Sequence, residues 1–320
     1  MDRWTNVEQA QADPRRSVVM LGNFDGVHRG HQTVLRTITT MARGAGAMSV
    51  AITFDPHPLE VLHPERAPER ITSVAYRLDL MEHCGLDAAL TLPFTREFAQ
   101  LTPEEFVEQV LVDGLRARTV VCGSDTKFGV RNSGDITTMR ALGDRFGFTV
   151  VTHDIAGVHD GGRRDWSSSA VRSALRDGDV QRASEVLGRL HRVSGIVVHG
   201  HHRGRELGYP TANLGADSQG MIPADGVYAG WLERTDQDVD DADRRLPAAI
   251  SVGTNPTFDD VAARTVEAYV LDRVDLDLYD ERVGVDFVAR LRGNTKFDSM
   301  QDLTEQMARD VAVCRSVLLG

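Results

Sequence analysis

The sequence predicts an α/β unit with a parallel sheet, followed by a small antiparallel β-barrel that ends in a helix. Three observations carry this prediction. Apolar runs alternate with amphipathic stretches over the first half, as in a parallel sheet covered by helices on both faces. A glycine loop, Gly22-Asn23-Phe24-Asp25-Gly26-Val27-His28-Arg29-Gly30-His31, separates the run Val18 to Leu21 from a helical pattern over Gln32 to Arg43. From about Arg189 the alternation gives way to short β-type runs with turn signals between them, the spacing of a small barrel.

The chain has 320 residues and 41% hydrophobic content, enough for two domains with separate cores, expected at 1–187 and 188–320. Forty-seven acidic against 36 basic residues give a net charge of -11, which disfavours a nucleic-acid partner. Cys84, Cys122 and Cys314 are too few and too far apart for a disulfide framework, and they lack metal-ligand spacing. The segment Met1 to Arg16 is polar and no apolar run is long enough to span a bilayer, so a soluble cytoplasmic protein is expected, a monomer or weak homo-oligomer without membrane contact.

In the opening helix Val34, Leu35, Ile38 and Met41 share one face. Ser49 to Phe54 reads as a strand, and Asp55-Pro56-His57-Pro58-Leu59 as a rigid extended loop at its end, because prolines at alternate positions disfavour helix. A helix over Thr72 to Cys84 and a strand over Ala88 to Phe94 follow. Thr102-Pro103-Glu104-Glu105 is a capping box that opens a helix with Phe106, Val107, Val110 and Leu111 on one side. Thr119 to Cys122 is a buried-type strand closed by Gly123-Ser124-Asp125-Thr126-Lys127-Phe128-Gly129, and a helix and strand (Thr137 to Phe146, Phe148 to His153) complete the alternation. Ser167, Ser168 and Ser169 precede a helix carrying Arg172 and read either as its cap or as a second phosphate contact. Val180 to Leu187 closes this half as a helix.

Strands of the second half are expected at Val193 to His199, Gly226 to Leu232, Ala248 to Val252, Val266 to Leu271 and Val283 to Ala289. Glu233 to Arg245 is acidic, lacks apolar periodicity and reads as a flexible loop. The last helix starts at Ser299 with Leu303, Met307, Val311, Cys314 and Leu318 on its buried stripe.

The glycine loop reads as a nucleotide site. Glycines let the backbone approach a polyphosphate, a helix N-terminus attracts it, and His28 and His31 share the first helical turn. Phosphate charge pushes such imidazoles toward protonation, making both donors. The spacing also suits a helix cap or a metal, but no third ligand is placed by pattern. These groups suit nucleotidyl transfer to a phosphate monoester, whose nucleophile is already anionic. Phosphorylating an alcohol needs a proton acceptor as well. In Thr265-Val266-Glu267-Ala268-Tyr269-Val270, Glu267 points away from Val266, Ala268 and Val270, and by periodicity alone it reads as a solvated outer residue. Thr211 and Asn213 offer neutral oxygens on one face of an extended segment, suited to magnesium carrying ATP phosphates.

Gly22 to His31, Thr53-Phe54-Asp55-Pro56-His57-Pro58, Gly123 to Gly129, Ser167 to Arg172, Gly204-Arg205-Glu206-Leu207-Gly208-Tyr209-Pro210-Thr211-Ala212-Asn213, Val252 to Phe258 and Arg290-Leu291-Arg292-Gly293 together resemble the bacterial bifunctional riboflavin kinase/FMN adenylyltransferases, or FAD synthetases. The resemblance implies a Rossmann-like nucleotidyltransferase domain of the His-x-Gly-His type, then a riboflavin-kinase-type barrel with a terminal helix. It implies riboflavin, FMN and ATP as substrates and Mg2+ as the metal. Site roles follow by motif. His28, His31, Gly22, Asn23, Phe24, Asp25, Gly30, Asp125, Ser167, Ser168 and Arg172 would serve the nucleotide of the first half; Phe54, Asp55, Pro56, His57 and Phe128 would hold flavin there. Gly200, Gly204, Arg205, Gly208 and Pro210 would hold the kinase ATP, Thr211 and Asn213 the metal, Asn255 and Arg292 the flavin, and Glu267 would be the base. The chain departs from the family pattern at Thr126, where an aromatic is usual, at Ser169, where Thr is usual, and at His201, where Asp is frequent.

Overall fold

The computed structural model describes residues 1–153, 165–199, 208–254 and 264–320, with the backbone of 158–159 and 162–163. The chain forms two compact units, Met1–Pro68 with Ser73–Ser167, and Glu69–Thr72 with Ser168–Gly320. This division falls before the helices Ser168–Asp177 (α7) and Val180–Leu187 (α8), which the expected domains of 1–187 and 188–320 assign to the first half; both helices group with the barrel.

In the first unit, β1 (Asp2–Trp4), β2 (Ser17–Leu21), β3 (Met48–Phe54), β4 (Ala88–Leu92), β5 (Ala117–Cys122) and β6 (Thr149–Thr152) make a sheet of order β1-β4-β3-β2-β5-β6, with every pair parallel. Its helices are α1 (Val7–Gln11), α2 (Arg29–Ala45), α3 (Pro58–Leu62), α4 (Val74–His83), α5 (Pro103–Phe106) and α6 (Ile136–Phe146). Parallel strands buried on both faces read as continuous apolar runs, and β2 and β3 are buried over nearly their whole length. Strand order reverses beside β2, so the switch point where doubly wound folds bind ligands lies among the carboxyl ends of β3, β2 and β5.

Local chemistry sets the helix starts. The Thr102–Glu105 capping box forms as expected, and α5 passes into a wider π-helix over Val107–Gly114. Asp135 caps α6 by accepting from the N–H groups of Thr137 and Thr138. The extended loop expected at Asp55 to Leu59 is shorter than predicted, because Pro58 takes the first position of α3, where its missing N–H leaves nothing unpaired, and His57 caps it. The polar first segment holds β1 and α1, which the sequence pattern did not announce. Asp2 and Arg3 are exposed and β1 is an edge strand, so neither face carries an apolar run. A short antiparallel pair, β7 (Val158–His159) and β8 (Gly162–Arg163), completes this unit.

In the second unit β9 (His191–Val198), β10 (Thr211–Leu214), β11 (Gly226–Arg234), β12 (Arg245–Thr254), β13 (Arg264–Val270) and β14 (Arg282–Arg292) close into an antiparallel barrel of order β10-β13-β12-β11-β14-β9. Alternate residues face inward: Ala212, Leu214, Ile250, Val252, Val266, Ala268 and Val270 are all buried. Helix α9 (Met300–Leu319), capped by Ser299, lies against the outside, where Val311, Cys314 and Leu318 meet Ala229, Tyr269 and Leu291. The stretch expected as a flexible loop begins inside β11 and is tied down at its tip. Arg244 donates to Glu233, and Arg273 forks onto Asp243 with contacts of 2.7 and 3.1 Å. Arg273 lies thirty residues from Asp243, just after β13, so no local pattern reveals that partner.

Candidate active sites of the two units

The glycine loop leaves the carboxyl end of β2. Gly22 N–H donates to the Ile52 carbonyl at 3.0 Å, tying the loop to β3. Phe24 and Val27 hold φ of 51° and 39°, a region that non-glycine residues rarely occupy and that costs about 1–3 kcal/mol each. Tertiary bonds hold this shape: Gln32 Nε2 donates to the Val27 carbonyl at 2.9 Å, and Thr53 Oγ1 donates to the Asn23 carbonyl at 3.0 Å.

His28 is the N-cap of α2, its Nδ1 accepting from the backbone N–H of His31 at 3.4 Å. That bond leaves the proton of the neutral ring on Nε2. The His28 and His31 rings stack with centroids 3.7 Å apart, and the Phe24 ring lies 5.2 Å from His31 in an edge-on arrangement. Burial, His28 and Arg77 together hold His31 well below its ordinary pKa. His31 is therefore held neutral at pH 7, and the protonation expected from the sequence was that of an imidazole beside phosphate charge. Its Nδ1 is enclosed and lacks a hydrogen-bond partner.

Around this loop Asn23 is exposed, Gly22 half-buried and Gly30 buried in the first turn of α2. Phe24 and Asp25 are buried, and Phe24 belongs to the core beneath α2, so its ring supports His31 instead of lining a nucleotide surface. Phe54, Asp55, Pro56 and His57 are half-buried at the end of β3. His57 Nδ1 accepts from the Leu59 N–H at 3.1 Å, and its Nε2 lies 3.1 Å from the Asn23 amide, joining this loop to the glycine loop. Asp125 is exposed after β5, with a carboxylate oxygen folded so close to Gly123 that a Cβ there would stand 2.8 Å from it.

Phe128, expected on the flavin, is buried, its ring 5.9 Å from Phe106 within the core. It is the inner end of a chain of rings running Phe128, Phe106, Phe98, Phe94 and Phe54. The outer members Phe54, Phe94 and Phe98 are half-buried, with centroids 5.4 to 6.0 Å apart. The sequence reading missed Phe94 and Phe98. Phe94 stands just past the carboxyl end of β4, and that position, where open parallel sheets hold ligands, was the available signal.

Ser167 and Ser168, half-buried, stand at the start of α7. Arg172 in that helix is buried, and its Nε donates to the Glu69 carbonyl at 2.8 Å. Ser167 ends the first unit, whereas Ser168 and Arg172 belong to the second.

On the barrel, Asn213 and Glu267 are directly paired across β10 and β13, with Thr211 opposite Tyr269 two places along and Ser251 opposite Glu267 on the other side. Paired residues share a face, so Thr211, Asn213, Glu267, Tyr269 and Ser251 all lie on the outside of the barrel, away from the buried Val266 and Ala268. Asn213 Nδ2 donates to Thr211 O and Oγ1 at 3.1 and 3.4 Å, which locks the two side chains together and turns the amide oxygen to the other side. Thr211 and Asn213 offer hard oxygens, and among the described residues no cluster of three or more His, Cys, Asp or Glu could hold a metal. That donor set fits a magnesium ion that keeps water and phosphate ligands, not one caged by protein carboxylates. Gly208, at φ 84°, and Pro210 lead into β10, and the Tyr209 ring meets Tyr269 at 5.2 Å. Gly200, Gly204, Arg205 and Asn255 lie outside the described residues. Arg292, at the end of β14, forks onto Asp310 of α9 with Nε and Nη2 at 3.1 and 2.7 Å, and Nη1 donates to the Gly293 carbonyl. Its guanidinium is thus fixed in place by the terminal helix.

A family model for FAD synthetase matches residues 10–168, and one for riboflavin kinase matches residues 187–318. The bifunctional riboflavin kinase/FMN adenylyltransferase of Escherichia coli strain K12 is 34% identical over 96% of this chain and 94% of its own. Those of Pseudomonas fluorescens and Bacillus subtilis strain 168 are 35% and 32% identical, over 95% and 92% of this chain and 93% and 90% of theirs. The crystal structure of a macrolide-efflux protein from Streptococcus pneumoniae matches with a TM-score of 0.84 and 33% identity, covering 98% of each chain.

Proposed function

Because the chain belongs to the bifunctional riboflavin kinase/FMN adenylyltransferase family, we propose that it phosphorylates riboflavin with ATP to give FMN, then transfers AMP from a second ATP to give FAD and pyrophosphate. The riboflavin kinase match lies on the barrel and the FAD synthetase match on the parallel sheet, in the same order as the two sites.

In the kinase, a neutral ribityl hydroxyl is a poor nucleophile until it loses its proton. Glu267 accepts that proton as the alcohol oxygen bonds to the γ-phosphorus and the bond from that phosphorus to the ADP oxygen breaks. Thr211 and Asn213 hold magnesium, which when bound offsets the charge of the ATP phosphates. Gly208 and Pro210, with Gly200, Gly204 and Arg205, hold the nucleotide; Arg292 and Asn255 serve the flavin. The observation that supports this reading is the register of β10 and β13, which sets Glu267 beside Asn213.

In the adenylyltransferase, a phosphate oxygen of FMN bonds to the α-phosphorus of ATP as the bond to pyrophosphate breaks. The nucleophile is anionic already, so the protein aligns it and offsets charge on the leaving group. His28 Nε2–H, the ring N–H of His31 and the first N–H groups of α2 do this, with Asn23, Asp125 and the backbone of the glycine loop around the nucleotide. Phe54, Phe94 and Phe98 form the apolar wall for the isoalloxazine ring. Ser167 contributes a second phosphate contact.

The protein acts on small molecules in the cytoplasm as a monomer or weak homo-oligomer, without nucleic acid or membrane. The net charge of -11 supports the exclusion of nucleic acid, and among the described residues no helix is long and apolar enough to cross a membrane. Purified protein given riboflavin, ATP and magnesium is expected to accumulate FMN and then FAD. Riboflavin recovered unchanged, as from a module that only binds flavin, would overturn the assignment.

A further inference from the structure

The first unit contains a buried cation that neither motif nor mechanism has used. Arg77, in α4, is 5% exposed, and its Nη1 donates at 2.7 Å to the carbonyl of Asn23. Thr53 Oγ1 donates to the same oxygen at 3.0 Å, so both acceptor positions of that carbonyl are taken. The next residue, Phe24, has φ of 51°, and Val27 has φ of 39°. A strained loop persists only where its surroundings over-determine it. Two donors from different elements, α4 and β3, fix the plane of the peptide that enters this turn, and the turn sets where Phe24 meets His31 and where α2 begins at His28.

We propose that Arg77 is a positioning residue for adenylyl transfer: by holding the Asn23 carbonyl it keeps the glycine loop, and with it the His28–His31 pair, in the shape that receives a triphosphate. The inference rests on the reading of that loop as the adenylyl-transfer site. Arginine suits the task because a guanidinium keeps its charge when buried and presents donors in a fixed fork, where a buried lysine would tend to lose its proton. The charged and titratable groups acting on His31 are His28, stacked on it within the first turn of α2, and Arg77 from α4. Arg77 therefore adds a fixed positive charge beside the imidazoles, where the charge of a triphosphate is to be met, without itself carrying a proton to or from it.

The test measures riboflavin-to-FMN and FMN-to-FAD conversion separately on the same full-length variants. Arg77→Met is expected to lower kcat for FMN-to-FAD by about 100-fold with KM for FMN little changed, to leave riboflavin-to-FMN conversion as it was, and to raise the pKa of His31 followed by NMR. Arg77→Lys, which keeps a donor but tends to lose its charge when buried, is expected to recover only part of that loss. Thr53→Val, nearly isosteric, removes the other donor to the same carbonyl and is expected to lower the same kcat by about tenfold even if Arg77→Met fails to fold. Unchanged kcat in both Arg77→Met and Thr53→Val, a parallel fall in both activities, or an effect on KM alone would overturn the proposal. Replacing His28 and His31 by Ala is the control on the premise. If FAD formation survives that change, the site reading has failed; if it is lost while Arg77→Met stays fully active, the inference about Arg77 alone has failed.

Discussion

Asn213 of β10 and Glu267 of β13 are direct partners in the ladder, their side chains on the same outer face of the barrel. Thr211 and Asn213 are locked to each other by the Asn213 amide, so the proposed metal donors and the proposed base stand on adjacent strands of one sheet.

Glu267→Gln preserves size but exchanges one acceptor oxygen for an amide donor and removes the basic carboxylate. Riboflavin-to-FMN conversion is expected to fall by about 10²–10⁴-fold, with FMN-to-FAD conversion unchanged, as read by chromatography of products from each substrate. Parallel loss of both conversions in a folded protein would contradict the division of labour.

The depressed pKa of His31 makes a claim about acid stability. Its ring is neutral in the folded protein and takes up a proton on unfolding once the pH is below about 6.5. The unfolded chain then binds more protons, so stability due to this group is present above that value and is lost as pH falls toward the lower folded pKa. His31→Phe, which cannot titrate, is expected to show a smaller drop in melting temperature between neutral and mildly acidic pH than the parent protein, measured for the first unit by circular dichroism. An equal drop would show that His31 is not buried as a neutral ring.

Phe98 is half-buried between Phe54, Phe94 and Phe106. Aromatic pairs of this kind contribute about 0.5–1.5 kcal/mol each beyond their buried area, so Phe98→Ala is expected to raise KM for FMN by roughly tenfold. KM for riboflavin in the kinase reaction should not move. Isothermal titration with FMN in the absence of ATP checks the same point without turnover.

Asp310 is nearly buried in α9 and carries the Arg292 fork together with a hydrogen bond from Gln306 at 2.8 Å. Asp310→Asn leaves a guanidinium without its carboxylate. Because Arg292 retains some exposure to water, the expected cost is on the order of 2 kcal/mol, read as an earlier unfolding of the barrel unit in urea.

What could be read from the sequence follows from what is local. The glycine loop lies between an apolar strand and an amphipathic helix, and both signals come from neighbouring residues. Glu267 stands out of phase with Val266, Ala268 and Val270, which was enough to aim it outward. The capping chemistry at Thr102 and Ser299 was equally plain. What escaped depends on partners far along the chain. Strand β1 is defined by its pairing with Ala88 to Leu90, and the acidic tip after β11 by Arg273, thirty residues beyond Asp243. Phe128 gave no local sign that Phe106 would cover it, and Arg77 none that its guanidinium would reach Asn23. An acidic residue on a helix is usually exposed, and the burial of Asp310 rests on Arg292, eighteen residues earlier, with Gln306 one turn before it.

The four residues Glu69–Thr72 count with the barrel, not with the segments on either side of them. Ile71 is fully buried there, and the Glu69 carbonyl accepts from Arg172. The polypeptide thus visits its second body briefly before returning to finish the first, and no single scission in the gene yields both halves intact. A fragment starting at Ser168 would keep every strand of the barrel but lose the buried Ile71 and the carbonyl that accepts from Arg172, whereas a version that supplies the short stretch through a tether would be whole.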